Sequence, residues 1–236
     1  MTIWEKCIII KKIDEKEVKK LDNKELAKLA TNALKSEYKN PKCSLEYKIP
    51  LQLLIATRLA AQCTDARVNL VTPILFKKYK TVDDFSKAEI SDIEKIIKSC
   101  GFYHTKAKDI VLMCKMIKEK YNSKVPDTIE ELIKLPGIGR KTANLIVGDI
   151  YNKPAVVVDT HCIRITKRLG FHNLKDAKKI EKILRDCLDP CESNGFCHRL
   201  VLHGRAICKA QKPKCEECIM KKFCNYYIDL KNMLKQ

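Results

Sequence analysis

Aromatic side chains make up only 6% of this 236-residue chain. Stacked rings therefore cannot fill its interior, and the core must be built mainly from Leu, Ile and Val. Long hydrophobic runs are missing as well. No segment approaches the roughly 18 consecutive apolar residues of a membrane span. Near the N-terminus the apolar run Cys7 to Ile10 is hemmed in by lysines and too short for a secretory leader. Strict apolar–polar alternation is absent. Ala155-Val156-Val157-Val158 is the best strand candidate, but it is short and has no partner run. Repeats and low-complexity tracts are also lacking. Negative charge is scarce: 29 Asp and Glu face 47 Lys and Arg, a net charge of +18. That excess is too large for solubility tuning and points to a polyanion, most simply nucleic acid. A lysine-rich surface inherited from an AT-rich genome is the competing explanation. The composition predicts a cytoplasmic protein, or a nuclear one in a eukaryote, with no membrane partner.

Apolar residues, at 45%, suffice for a real core, in one large domain or two small ones. The thirteen cysteines are odd in number and mostly scattered along helical-looking segments, which argues against a secreted disulfide scaffold. Helical periodicity dominates from Asn23 onward, with apolar positions Leu26, Leu29, Ala30, Ala33 and Leu34 on one face. The stretch PLQLLIATRLAAQ opens with Pro50 and is apolar nearly all round, which predicts a buried helix. Pro73 should kink or divide the segment Asp65–Tyr79. Further helices are predicted at Ile90–Ser99, Thr105–Tyr121, Thr128–Leu135, Lys141–Tyr151, His161–Leu169, Asp176–Leu188 and Gly195–Ala210, with Gly101 and Gly170 at C-cap positions. The pattern is all-α, about ten helices with short connections.

Two local patterns carry chemistry. In LPGIGRKTAN, residues 135–144, a turn lies between two helical stretches. Gly137 and Gly139 allow the main chain to approach another molecule, and exposed N–H groups beside a helix N-terminus suit a phosphate. Ile138 between them should point inward as an anchor. A tight turn without function remains the alternative. The second pattern is C-x6-C-x2-C-x5-C at Cys208, Cys215, Cys218 and Cys224. Four thiolates this close make a metal site, and the spacing alone leaves zinc and a [4Fe–4S] cluster both open. Cys187, Cys191 and Cys197, with His198 and His203 nearby, invite a second metal site but read as core or surface thiols.

Eighteen residues beyond Lys141 comes Asp159, within VDTHCIRITKRLG. With LPGIGRKTAN, this order of Lys, V-D-T-H and R-x-x-x-R-L-G resembles the endonuclease III group of DNA base-excision glycosylases, from about Pro50 to Cys224. The pair makes chemical sense unaided. A carboxylate steadies the cation that develops at the sugar as a base departs, and a lysine amine can attack the same carbon and form a Schiff base. Asp159 also reads as an ordinary helix N-cap. The resemblance implies an all-α fold of two lobes, a six-helix region over residues 43–153 and a second lobe from 1–42 with 154–236. It implies a [4Fe–4S] cluster on the four cysteines of the loop 208–224, with Lys209, Lys212 and Lys214 placed to touch phosphate. Gln62 and Phe102 are implied to enter the gap left by an extruded nucleotide. Arg140 and His161 are implied to contact the DNA backbone or the hairpin. The expected activity is a bifunctional glycosylase and apurinic/apyrimidinic lyase, a monomer acting on double-stranded DNA that carries oxidised pyrimidines or abasic sites. A monofunctional mismatch glycosylase of the same superfamily is the alternative within the family. A non-catalytic helix–hairpin–helix module with a structural metal is the alternative outside enzymes, and pure binding would need neither Lys141 nor Asp159.

Overall fold

Helix α1, Asn23–Glu37, starts where the sequence supplies a reciprocal cap: the Asp22 side chain accepts from the Glu25 N–H, and Glu25 reaches back to the Asp22 N–H. Its buried stripe is Leu26, Ala27, Ala30, Ala33 and Leu34. The computed structural model describes Val18 and residues 21–233. The apolar run Cys7–Ile10 and the N-terminal extension lie outside the described residues. Among those residues there is no strand, and no helix is long and apolar enough to cross a membrane.

The chain divides into two compact units, one of residues 43–153 and one of residues 1–42 with 154–236. The first holds α2 (Pro50–Ala60), α3 (Asp65–Lys78), α4 (Val82–Ser86), α5 (Ile90–Ile97), α6 (Tyr103–Lys120), α7 (Ile129–Leu132) and α8 (Arg140–Tyr151). Helix α2 is its core. Leu53, Leu54, Ile55 and Leu59 have no exposed surface, and the helix packs against α3, α6 and α8. That multiple contact is why the segment is apolar on nearly every side.

The second unit is built from α1, α9 (Thr160–Leu169), α10 (Ala177–Cys187), α11 (Ser193–Ala206) and α12 (Asn225–Met233), with single 3₁₀ turns at Cys215–Glu217 and Lys221–Phe223. Here α11 packs on α9 and α1, α10 packs on α1, and α12 packs on α9. Residues 155–158 are buried but form no strand, as their lack of a partner run implies.

The structure corrects several expectations. Pro73 does not divide its segment; α3 runs through it. Pro73 lies on the exposed side of the helix. Gly101 is not a C-cap. Helix α5 ends at Ile97, and the left-handed residue of the next turn is Phe102, φ 57°. Gly170 does cap α9, with φ 112°. The predicted helix Thr128–Leu135 shrinks to α7, because the chain turns into the hairpin. The one predicted to Ala210 stops at Ala206, because the following residues are drawn into the cysteine loop. The short α4 is a helix that periodicity does not announce. It forms because Thr81 and Asp84 make a capping box. Replacing Leu54 by Ala should lower unfolding free energy by about 2–5 kcal/mol in urea titration, since α2 is packed all round and the void cannot collapse.

Candidate active site and cluster loop

The hairpin lies between α7 and α8. Ile138 is buried at 6% exposure, as expected of an anchor, and its N–H donates to the Leu135 carbonyl at 3.1 Å. Gly137 has φ +73°, and a Cβ there would run into Arg58 and Asp109. Those two side chains form an ion pair beneath the turn, Arg58 Nε to Asp109 Oδ2 at 2.8 Å and Nη2 to the same oxygen at 2.6 Å. Gly139 differs. Its φ of −96° suits any residue, and a Cβ on it would meet nothing within 4 Å. The open space belongs to its surface, where another molecule can reach the main chain. Arg140 and Lys141 are the first two residues of α8; Arg140 is half-buried and Lys141 exposed.

Asp159 belongs to the other unit and is the N-cap of α9. Its Oδ1 accepts from the Cys162 N–H at 2.7 Å. Among the described residues its second oxygen takes no hydrogen bond, so the cap reading and a chemical role are compatible: one oxygen positions the carboxylate and the other is available. The side chain is half-buried. His161 packs with Nδ1 3.0 Å from Arg164 Nη2 and against Gly204.

Gln62 and Phe102, both exposed, sit in two loops of the first unit, and each has left-handed backbone, φ 54° and 57°. A Cβ placed on Gly101 would lie 3.9 Å from the Gln62 carbonyl oxygen, so the two loops are neighbours.

Cys208, Cys215, Cys218 and Cys224 line one cavity with Arg168, Pro213, Lys221 and Tyr226. Among the described residues no three His, Cys, Asp or Glu side chains converge as on a single ion. Several N–H groups are aimed at these sulfurs. Arg168 Nη1 lies 3.2 Å from Cys208 Sγ. The Met220 backbone N–H serves Cys218, and those of Tyr227 and Tyr226 serve Cys224. Four thiols ringed by donors fit an iron–sulfur cluster, whose sulfurs are electron-rich acceptors. Burial pushes the bare Cys218 thiol up to about 11 and Cys224 up to about 12, so metal is needed to hold them as thiolates.

Three residues at this loop have roles that sequence reading did not assign. Arg164 donates from Nε and Nη2 to the Cys208 carbonyl at 3.1 and 2.9 Å. One turn on, Arg168 donates to the carbonyls of Lys209 at 2.7 Å and Ala210 at 3.0 Å. The spacing R-x-x-x-R in ITKRLG's helix was a visible signal, since it puts both guanidiniums on one face. His203, 1% exposed, was grouped with Cys197 and His198 but belongs here: its Nε2 lies 3.4 Å from Cys218 Sγ and its Nδ1 3.2 Å from the Tyr38 hydroxyl. Burial pushes its pKa down to about 4. The ring is therefore neutral at pH 7, with Nε2–H donating to sulfur and Nδ1 accepting from Tyr38. Cys197 is buried instead with its sulfur 3.3 Å from the Val157 N–H, and Cys191 is exposed. Every described cysteine is free. Lys209, Lys212 and Lys214 are exposed along the loop, Lys214 pairing with Glu217 at 3.3 Å. A cavity of about 780 Å³ opens elsewhere, among Pro50, Val82, Lys124 and Tyr151, and none of the candidate site residues lines it.

The hairpin with its lysine, the capping aspartate and the four-cysteine loop are together the parts of a base excision DNA repair protein. Residues 55–190 match the HhH-GPD superfamily of base excision DNA repair proteins, and residues 208–224 match the iron–sulfur binding domain of endonuclease III. The chain is 42% identical over 188 residues to endonuclease III of Rickettsia felis, spanning 80% of this chain and 88% of that one. Among solved structures, it resembles a non-covalent endonuclease III–DNA complex with TM-score 0.83 and 38% identity, over 92% of this chain and 100% of that one. It also resembles a trapped endonuclease III–DNA covalent intermediate, the estranged-adenine complex, with TM-score 0.83 and 39% identity, over 90% and 99%. The chain belongs to the endonuclease III family and, with it, carries a [4Fe–4S] cluster.

Hydrogen bonds to cluster sulfurs stabilise the more reduced cluster. His203→Leu should therefore move the cluster's reduction potential downward in protein voltammetry, while His203→Gln, which keeps an N–H donor, should stay close to wild type.

Proposed function

We propose that this chain is a DNA glycosylase and abasic-site lyase that removes oxidised pyrimidines from double-stranded DNA, acting as a monomer in the cytoplasm at the nucleoid. The observation that carries the reading is the position of Lys141: a solvent-facing amine in the first turn of the hairpin's second helix, directly behind a glycine with open space over its backbone. The main-chain N–H groups at that helix start suit a DNA phosphate, as does Arg140. The net charge of +18 supplies the long-range attraction.

A base inside a duplex is out of reach, so its nucleotide must be extruded. Phe102, 69% exposed in a tight turn, is the wedge on this reading, and Gln62 fills the space left behind. The Lys141 amine, in its unprotonated form, attacks the anomeric carbon, and the base leaves with the electron pair of the glycosidic bond. The second oxygen of Asp159 steadies the positive charge that develops on the sugar. Ring opening gives a protonated Schiff base. Loss of a C2′ proton then expels the 3′ phosphate with the C3′–O electrons, and water releases the lysine. Cys208, Cys215, Cys218 and Cys224 would hold the cluster. When bound, it cross-links the loop at four points and presents Lys209, Lys212 and Lys214 as a fixed basic edge. His161, held by Arg164, joins that edge to the start of α9.

Borohydride trapping on a duplex with an abasic site tests the scheme. Wild type should form a covalent adduct and Lys141→Ala none. An adduct with Lys141→Ala would refute the lyase assignment, and base release without any wild-type adduct would mark a monofunctional enzyme. Asp159→Asn should keep duplex binding yet lose about a hundredfold or more in base release, as expected when one preorganised electrostatic group is removed.

A further inference from the structure

Lys106 is 1% exposed, an unusual fate for a lysine. It sits in the second turn of α6. Its Nζ donates to the Leu59 carbonyl at 2.7 Å and to the Cys100 carbonyl at 3.3 Å. No carboxylate pairs with it among the described residues; burial lowers its pKa, with the Cys63 and Cys100 thiols opposing that and Arg58 adding to it. An ammonium placed there costs more than a methionine of similar shape, so packing does not explain it. Position does. Leu59 is in the last turn of α2, whose carbonyls lack partners and whose dipole favours a cation. The loop after it carries Gln62. Cys100 lies in the turn that carries Phe102. One nitrogen therefore ties both loops to each other and to the start of α6, whose own Lys106 N–H bonds the Phe102 carbonyl at 3.1 Å.

Both loop residues hold left-handed backbone, a conformation that costs a non-glycine residue of order 1–3 kcal/mol and persists only where surroundings over-determine it. We propose that Lys106 is a positioning residue that locks the Gln62 and Phe102 loops in fixed register, so that the two probes enter the duplex as a preformed pair. This rests on the reading that those two residues open the duplex. Lys106 touches neither substrate nor reacting atoms on this view. It sets where the probes stand before DNA arrives, which spares the ordering cost on binding.

The role separates from mere folding by substrate. An abasic site in single-stranded DNA needs no opening, whereas one in duplex DNA does. Lys106→Met should slow single-turnover lyase cleavage of the duplex by about tenfold or more while changing single-strand cleavage by about twofold at most, the scale on which small misplacements cost rate. Equal losses on both substrates would overturn the role of Lys106. The paired variant Gln62→Ala with Phe102→Ala should be slow on duplex alone, and adding Lys106→Met to it should slow it no further. A further full loss would also overturn the proposal. If the paired variant cleaves duplex at the wild-type rate, it is the assignment of the two probes that fails. Lys106→Gln, which keeps a donor for one carbonyl, should lie between wild type and Met on duplex, and the same comparison of substrates decides should the Met variant not fold.

Discussion

Cations that donate to main-chain carbonyls hold the cysteine loop and the loops that carry Gln62 and Phe102. Arg164 and Arg168 grip the carbonyls of Cys208, Lys209 and Ala210. Lys106 grips those of Leu59 and Cys100, and Arg199 that of Tyr38 beside His203. Loops in a helical protein have carbonyls to spare, because helix ends and irregular segments leave them unpaired. A chain rich in Lys and Arg has donors to match. The same excess charge that attracts a polyanion is thus used internally as a set of fasteners. Each is charge-assisted and therefore stronger than a neutral bond. Exposed pairs such as Lys78–Asp92 and Lys95–Asp92 contribute little by comparison, since solvent screens them.

Much of this was legible in the sequence, and the parts that were not have physical reasons. The hairpin could be read because glycines at 137 and 139 flank a single apolar residue; the structure separates their duties, conformational at 137 and spatial at 139. The cysteine loop could be read because ligand spacing is local. Helices α1, α2 and α10 are predicted from the sequence; the structure adds the caps Asp22 and Asp176. Residues whose partners lie far along the chain could not be read. Lys106 looks like any surface lysine until Leu59, 47 positions away, is brought to it. His203 bonds Tyr38 across 165 positions. Pro73 stays inside one helix, which local sequence alone does not show. Gly101 is no C-cap because the helix before it ends earlier, at Ile97, and the left-handed residue is Phe102 at the start of α6.

The two halves of the chemistry are supported differently. Lys141 rides on a hairpin braced from below by the Arg58–Asp109 pair, with Gly137 lying directly over it. Asp159 heads a helix whose far end is built into the cysteine loop. Both arrangements place the proposed reactive group at a helix start, where the backbone fixes the direction in which the side chain leaves.

Helix α9 has a mechanical meaning that follows from its two ends. Its first residue is capped by Asp159, and its last turn supplies Arg168, whose carbonyl faces Cys224 Sγ at 3.4 Å. Ten residues make a stiff rod of about 15 Å. Whatever orders the cysteine loop at one end of that rod therefore also orders the Asp159 carboxylate at the other.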